Sequence, residues 1–195
     1  MKHVTKKRKT SAAKRFAEIE QISIAGISER MGPLGLHMFA ESYLSAAQAI
    51  PKPKVPFEPV RPYLVCHAIE LALKAFLSLR SSAMVELADA PFGHNLDSLL
   101  TKALEGDLTQ LAAFTDAHRK AIRLATIYYA GKVFEYPAVG EALCAYPQMP
   151  PIEVLFEAAA RLVKALRQPC REAKCVLGEK GDLILPSSWS PHVKR

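Results

Sequence analysis

The sequence lacks a glycine-rich phosphate loop, an internal repeat and any alternation of strand-like with helix-like segments. These absences exclude most nucleotide-fold and solenoid architectures. Cysteine is scarce: Cys66, Cys144, Cys170 and Cys175 are all there is. Cys170 and Cys175 have no His or Cys close by in sequence to complete a zinc set. Reduced thiols in a cytoplasmic protein are the expectation, with Cys66 packing as a small hydrophobe inside an apolar helix. No uninterrupted apolar run reaches the ~18 residues that a bilayer span needs. The basic N-terminus is not followed by the apolar stretch of a secretory signal, so no membrane partner is expected.

Acidic charge is missing from the first fifteen residues. They hold Lys2, Lys6, Lys7, Arg8, Lys9, Lys14 and Arg15, and so account for the whole formal net charge of +7. The rest of the chain is electrically balanced. Residues 1–15 therefore read as a disordered basic tail whose Lys6, Lys7, Arg8 and Lys9 can meet nucleic acid through counterion release. The other reading is a solvated tail with no dedicated partner.

What the sequence has is apolar helix. Half of its 195 residues are hydrophobic, enough for one domain with a real core. Residues 16–30 read as a short helix. Pro33 opens a helix through Gln48, with Leu36, Phe39, Tyr43, Leu44 and Ala47 at helical spacing. Pro53, Pro56, Pro59 and Pro62 then recur with a period of three, the edge of a polyproline II segment, read as a stiff connection between helices. A second helix runs from about Pro62 to about Arg80. Asn95 caps a third and Gly106 ends it; Thr115 or Asp116 caps a fourth and Gly131 ends it. Pro151 opens a fifth, with an apolar stripe of Ile152, Leu155, Phe156, Ala159, Leu162, Val163 and Leu166, and Pro169 is expected to stop it. Cys175–Leu185 reads as a small hairpin. The expected fold is all-α: an up-and-down bundle of four to five helices over residues 16–169, with a short irregular extension over 170–195.

The second helix, RPYLVCHAIELALKAFLSL, is apolar nearly all round yet carries His67, Glu70 and Lys74. With about 100° per residue and His67 as zero, Tyr63 falls at about −40°, Glu70 at about −60° and Lys74 at about −20°. The polar groups thus form one narrow seam. Buried charges need partners, and Glu70 and Lys74 have the favourable i,i+4 order. Two readings stay open: an internal ion pair beside a hydrogen-bonded histidine, or a site that His94 joins from the start of the next helix. Two histidines and a glutamate are also a ligand set, but the spacing is not that of a metalloprotease helix, and neither a metal nor another cofactor is expected.

His67-Ala-Ile-Glu70-Leu-Ala-Leu-Lys74-Ala, followed by Gly93-His94-Asn95-Leu96-Asp97-Ser98-Leu99-Leu100, resembles two helix motifs of the HEPN (higher eukaryotes and prokaryotes nucleotide-binding) superfamily. The stretch Ile127-Tyr-Tyr-Ala-Gly-Lys-Val-Phe-Glu-Tyr-Pro137 is similar to a tyrosine-proline element of some members. The likeness covers about residues 33–167. It implies a usually dimeric, cytoplasmic helical domain of the kind found beside nucleotidyltransferases, in toxin–antitoxin pairs and in phage defence. Many members are ribonucleases with an Arg-x(4–6)-His signature on a late helix. The fourth and fifth helices here lack it; the pattern occurs as Arg61…His67 and Arg30…His37, followed by Pro62 and Met31 rather than a polar residue.

Three functions follow as expectations. The first is a module that binds a nucleotide, RNA or a cognate protein without catalysis, using His67, Glu70, Lys74 and His94, with Lys132 and Tyr136 at the edge. The second is a divergent metal-independent ribonuclease in which His67 is the acid or base and Arg61 steadies the phosphate. The third is a purely structural interaction protein.

Overall fold

A computed structural model describes residues 32–52, 58–80, 87, 91–136 and 146–180, with the side chains of 174–180 not described. Among these residues the protein is all-helical. The helices are α1 (Pro33–Ala49), α2 (Val60–Leu79), α3 (Leu96–Glu105), the single turn α4 (Leu108–Leu111), α5 (Asp116–Ala130) and α6 (Ile152–Lys180). The basic tail, the helix expected over 16–30, Pro53 and Pro56, Pro137, Trp189 and the second arm of the hairpin lie outside the described residues.

Every long helix packs on α2, which contacts α1, α3, α5 and α6, while the short turn α4 packs on α3. From Val65 to Leu77 every residue is buried except His67. This helix is long and apolar enough to cross a membrane, but 72% of the apolar window is buried inside the protein, as befits a core helix. Leu73, Phe76, Ile69 and Val65 of α2 are wholly enclosed, together with Leu36 of α1, Leu99 of α3, Ile122 of α5 and Leu162 of α6.

Local signals place the helix ends. Pro33 begins α1, where its missing N–H costs nothing. The Asn95 side chain accepts the Ser98 N–H at 3.0 Å and starts α3. Thr115 starts α5 with a reciprocal cap: its hydroxyl accepts the His118 N–H, and its own N–H is accepted by His118 Nδ1. A nitrogen that accepts there carries no proton, so the His118 proton sits on Nε2, 3.4 Å from Glu157.

Two expectations change. Phe39 is half exposed, and the buried face of α1 is Leu36, His37, Ala40, Leu44 and Ala47. Small alanines let α2 approach closely, while His37 is satisfied inside by donating to the Val163 carbonyl at 2.7 Å. The second change is at Pro169, which does not stop the last helix: α6 continues to Lys180 and takes Cys175, Val176 and Leu177 with it, so the first arm of the expected hairpin is helical. Proline in a helix interior removes one hydrogen bond and crowds the preceding turn. Leu166 and Cys170 on either side of it are fully buried, and that apolar contact carries the helix through. Burial also pushes the Cys170 thiol up to about 11, which keeps it protonated.

If α6 runs through Pro169, Pro169→Ala restores the lost hydrogen bond. It is expected to raise unfolding stability by about 1–3 kcal/mol, read as a higher urea midpoint at unchanged m-value. A lower midpoint contradicts a continuous helix.

Candidate functional site

Glu70 is the centre of the polar seam. Its side chain is 3% exposed, and its two oxygens face different donors. Oε1 accepts Lys74 Nζ at 2.6 Å. Oε2 accepts the Tyr129 hydroxyl and His94 Nδ1–H at 3.1 Å. The His67 Nδ1 lies 3.5 Å from the same oxygen, but its hydrogen bond is to the Tyr129 hydroxyl oxygen, at 2.7 Å. Tyr129 therefore accepts from His67 and donates to Glu70 with one hydroxyl group. Four side chains from three parts of the fold converge on one carboxylate: Lys74 and His67 from α2, His94 from the turn before α3, and Tyr129 from α5.

The electrostatics follow from that geometry. Burial by itself disfavours an ionised Glu70. The donors on His67 and His94 and the charge and hydrogen bond of Lys74 outweigh it, and hold the carboxyl well below the usual carboxylate range. Burial, then the Glu70 charge, pushes the Tyr129 hydroxyl far up, so it stays a protonated donor. His94 is raised by its hydrogen bond to Glu70, against opposing effects of desolvation, Lys74 and Lys132. Burial and the same carboxylate push the Cys66 thiol up, so it is an inert core residue.

The cluster grades from dry to wet. Lys74 is 10% exposed and His67 19%, whereas His94 is 51% exposed. Both imidazoles are tied inward through Nδ1. Among the described residues their Nε2 atoms make no hydrogen bond. Aromatic rings wall the mouth. Tyr63 stacks on His67 with ring centres 5.9 Å apart and planes 8° apart. Tyr43 of α1 meets the same imidazole edge-on at 4.4 Å, and Tyr129 meets His94 edge-on at 5.7 Å. Burial, then Glu135, Tyr43 and Glu70, raises the Tyr63 hydroxyl.

Local sequence explains how His94 arrives there. Gly93 has φ +27°, a backbone conformation that L side chains rarely adopt. It closes the turn in which Asn95 N–H bonds the Phe92 carbonyl at 2.6 Å, and His94 is left pointing back at α2 just before the Asn95 cap. Tyr128, the neighbour of Tyr129, turns the other way. It stacks on Phe134, meets Tyr146 edge-on and accepts the Gln148 N–H, fixing the segment after α5.

Of the residues expected at the site, the structure brings together His67, Glu70, Lys74 and His94. Lys132 follows α5 with φ +55° and lies close enough for its charge to oppose protonation of His94. Tyr136 is 75% exposed and makes no side-chain contact with the seam among the described residues. Arg61 is turned away: its guanidinium bonds the Ala47 carbonyl at 3.4 Å and lies over the Phe156 ring at 5.1 Å. The pairing of Arg61 with His67 is thus not formed within the chain. His37 of the other Arg-His match is held in the core, as described above. Among the described residues no group of three or more His, Cys, Asp or Glu is placed to hold a metal ion.

Tyr129 was not among the expected site residues, although a signal was present. It follows Ile122 and Ala125 by seven and four positions, on the buried stripe of α5, and a tyrosine there needs a partner for its hydroxyl. Comparison with known proteins adds nothing: no family model matches the chain, and neither a curated protein nor a solved structure matches it.

Removing one partner from this cluster leaves buried groups unpaired. Glu70→Gln, which strands Lys74, is expected to cost about 3–5 kcal/mol; Tyr129→Phe is expected to cost about 1–3 kcal/mol. The pH dependence has two limbs. Glu70 has a depressed folded pKa, so its contribution is present above its unfolded value of about 4.3 and is lost as pH falls through the folded value. His94 has a raised folded pKa, so its contribution is complete below about pH 6.5 and is lost as pH rises through the folded value. Urea titrations from pH 3 to 9 check both: the gap between wild type and Glu70→Gln should shrink on acidification.

Proposed function

We propose that the chain is a HEPN-like, up-and-down helical domain that binds a nucleotide or an RNA segment at the mouth of the seam, as a cytoplasmic homodimer and without a metal. One observation carries the reading: His94 bonds the buried Glu70 carboxylate through Nδ1, His67 bonds Tyr129, which donates to that same carboxylate, and both rings keep an Nε2 edge without a hydrogen bond among the described residues. Glu70 and Lys74 cancel each other's charge inside, which leaves the outer end to the histidines, with Lys132 acting on His94 and Glu135 on Tyr63. Imidazolium and ammonium donors suit phosphate oxygens, and tyrosine rings at the rim suit a base with little regard to its identity. The basic residues 1–15 would add attraction that is independent of sequence and weakens with salt. The HEPN motifs in α2 and before α3 are the stretches that supply Glu70, Lys74, His67 and His94, which supports the same assignment.

A second reading keeps the site and adds chemistry. Two imidazoles tied to one hydrogen-bond network, one to accept a proton and one to donate it, would serve metal-free cleavage at an RNA 2′-hydroxyl. Arg61 would have no part in that.

The test is anisotropy of a labelled single-stranded RNA with the full chain, at two salt concentrations. His94→Ala and Lys132→Ala are each expected to weaken binding by about tenfold. Full retention of binding by both variants defeats the reading. Incubation of the same RNA in EDTA, wild type beside His67→Ala, distinguishes the two readings: cleavage lost in the variant makes the domain an enzyme.

A further inference from the structure

The outward side of α1 is uncharged. Of the seventeen residues in this helix only Glu41 is charged, and its carboxylate is tied to Arg167 of α6. The solvated side of a surface helix ordinarily carries the charged residues. Here it carries Met38, Phe39, Ser42, Ser45 and Ala46, with Gly35 and Ala49 at the two ends. Met38 and Phe39 are 60% and 49% exposed, and the buried side of the helix is complete without them. The Ser45 hydroxyl donates to the Glu41 carbonyl at 2.8 Å, so this side chain meets a neighbour as a small group already satisfied.

The spacing of these residues is symmetric. The steps from Gly35 to Ala49 are three, one, three, three, one and three, the same from either end, with Ser42 at the centre. A second α1 laid antiparallel across a two-fold axis at Ser42 therefore sets Met38 against Ala46, Phe39 against Ser45 and Gly35 against Ala49, each pair occurring twice. The large side chains stand in one half of the face and the small ones in the other. Large meets small at every pair, which lets two helices interlock at close range. Gly35 is an independent sign. Glycine weakens a helix relative to alanine, yet among the described residues nothing calls for it: a Cβ there would meet no atom within 4 Å. The open space lies outside the chain's own packing.

The chemistry of the face decides between occupants. It offers no cation to a nucleic acid or to an anionic lipid surface. Residues 16–31, which lead into α1, hold Glu18, Glu20, Glu29 and Arg30 and would bring charges to a surface with none to match them. A second copy brings the same uncharged face.

We infer that the outward face of α1 is the surface on which two copies of this chain associate, with their α1 helices antiparallel and crossing at Ser42. This rests on the homodimeric part of the reading above and is independent of what the seam binds. Phe39 stands one turn before Tyr43, whose ring meets His67 at 4.4 Å, so the second copy borders the wall of the seam. A face about 25 Å long and one helix wide is at the small end of specific interfaces, and the dissociation constant is expected to be on the order of micromolar.

The experiment is sedimentation velocity of the full chain across a wide range of concentrations, wild type beside Ser42→Glu and Gly35→Leu. Ser42→Glu sets two carboxylates against each other on the axis and is expected to weaken association by about tenfold or more. Gly35→Leu fills the space that the second helix needs and is expected to act in the same direction. Both positions face outward, so circular dichroism and the urea midpoint should stay at the wild-type level. A third variant, Ser42→Cys, is oxidised gently. Identical residues adjoin only on a two-fold axis, so a disulfide between the two copies at this position, located by peptide mass mapping apart from the native cysteines, is expected. A wild type that stays monomeric at every concentration overturns the inference and the homodimer in the reading above, and leaves nucleotide binding to its own test. A dimer that both substitutions leave intact overturns the surface and leaves the homodimer standing. If a substitution lowers the urea midpoint, the disulfide decides: a dimeric Ser42→Cys protein that forms none overturns the crossing at Ser42.

Discussion

An ionised carboxylate in the middle of an apolar helix is the constraint to which the rest of this protein answers. Glu70 lies between Ile69 and Leu71 in the helix that every other long helix touches. A charge there is tolerable only if its oxygens are filled by donors. The donors come from Lys74 one turn along, from Tyr129 on α5 and from His94 ahead of α3. Apolar packing by itself lets helices slide or rotate at small cost, because one well-filled apolar contact resembles another. A hub whose three donors have directional bonds does not allow that freedom. It sets which face α5 turns to α2, and where the turn before α3 must end.

The same constraint generates the polarity of the site. Lys74 is nearly dry, His67 is partly wet and His94 is half exposed, so a single hydrogen-bond network leads from the core to solvent. Inside, the charges cancel. Outside, the two histidines each keep an Nε2 edge without a hydrogen bond among the described residues, while their Nδ1 atoms are held by Tyr129 and Glu70. The aromatic rings serve two purposes: Tyr63 and Tyr43 hold the His67 ring in place, and their partly exposed surfaces form the wall of the opening.

The helix with three titratable groups was recognisable from spacing. A turn of about 100° per residue puts His67, Glu70 and Lys74 on one narrow stripe, and burial of everything else from Val65 to Leu77 follows from the apolar residues around it. The cap at Asn95 was equally plain, and that of α5 was narrowed to Thr115 or Asp116, because caps are chemistry between neighbours. What could not be read locally was set by neighbours far along the chain. Phe39 fits the apolar spacing of α1 but is half exposed, since the α2 side of α1 is taken by Leu36, Ala40, Leu44 and Ala47. Pro169 is a local stop signal overruled by burial of Leu166 and Cys170. Arg61 sits six residues before His67 in sequence, yet about 120° round the helix, where Ala47 and Phe156 claim it.

By itself the sequence determined the helices of the described residues, the starts of α3 and α5 and a polar stripe that had to be satisfied. These rest on interactions within a few residues: helical periodicity, capping and i,i+4 pairing. The tertiary structure decided who satisfies that stripe. Tyr129 is 59 residues from Glu70, and His94 is 24. Neither distance along the chain carries any preference for contact. Only the packing of α5 and α3 against α2 places a hydroxyl and an imidazole on one carboxylate oxygen, and with it the direction in which the two histidines face.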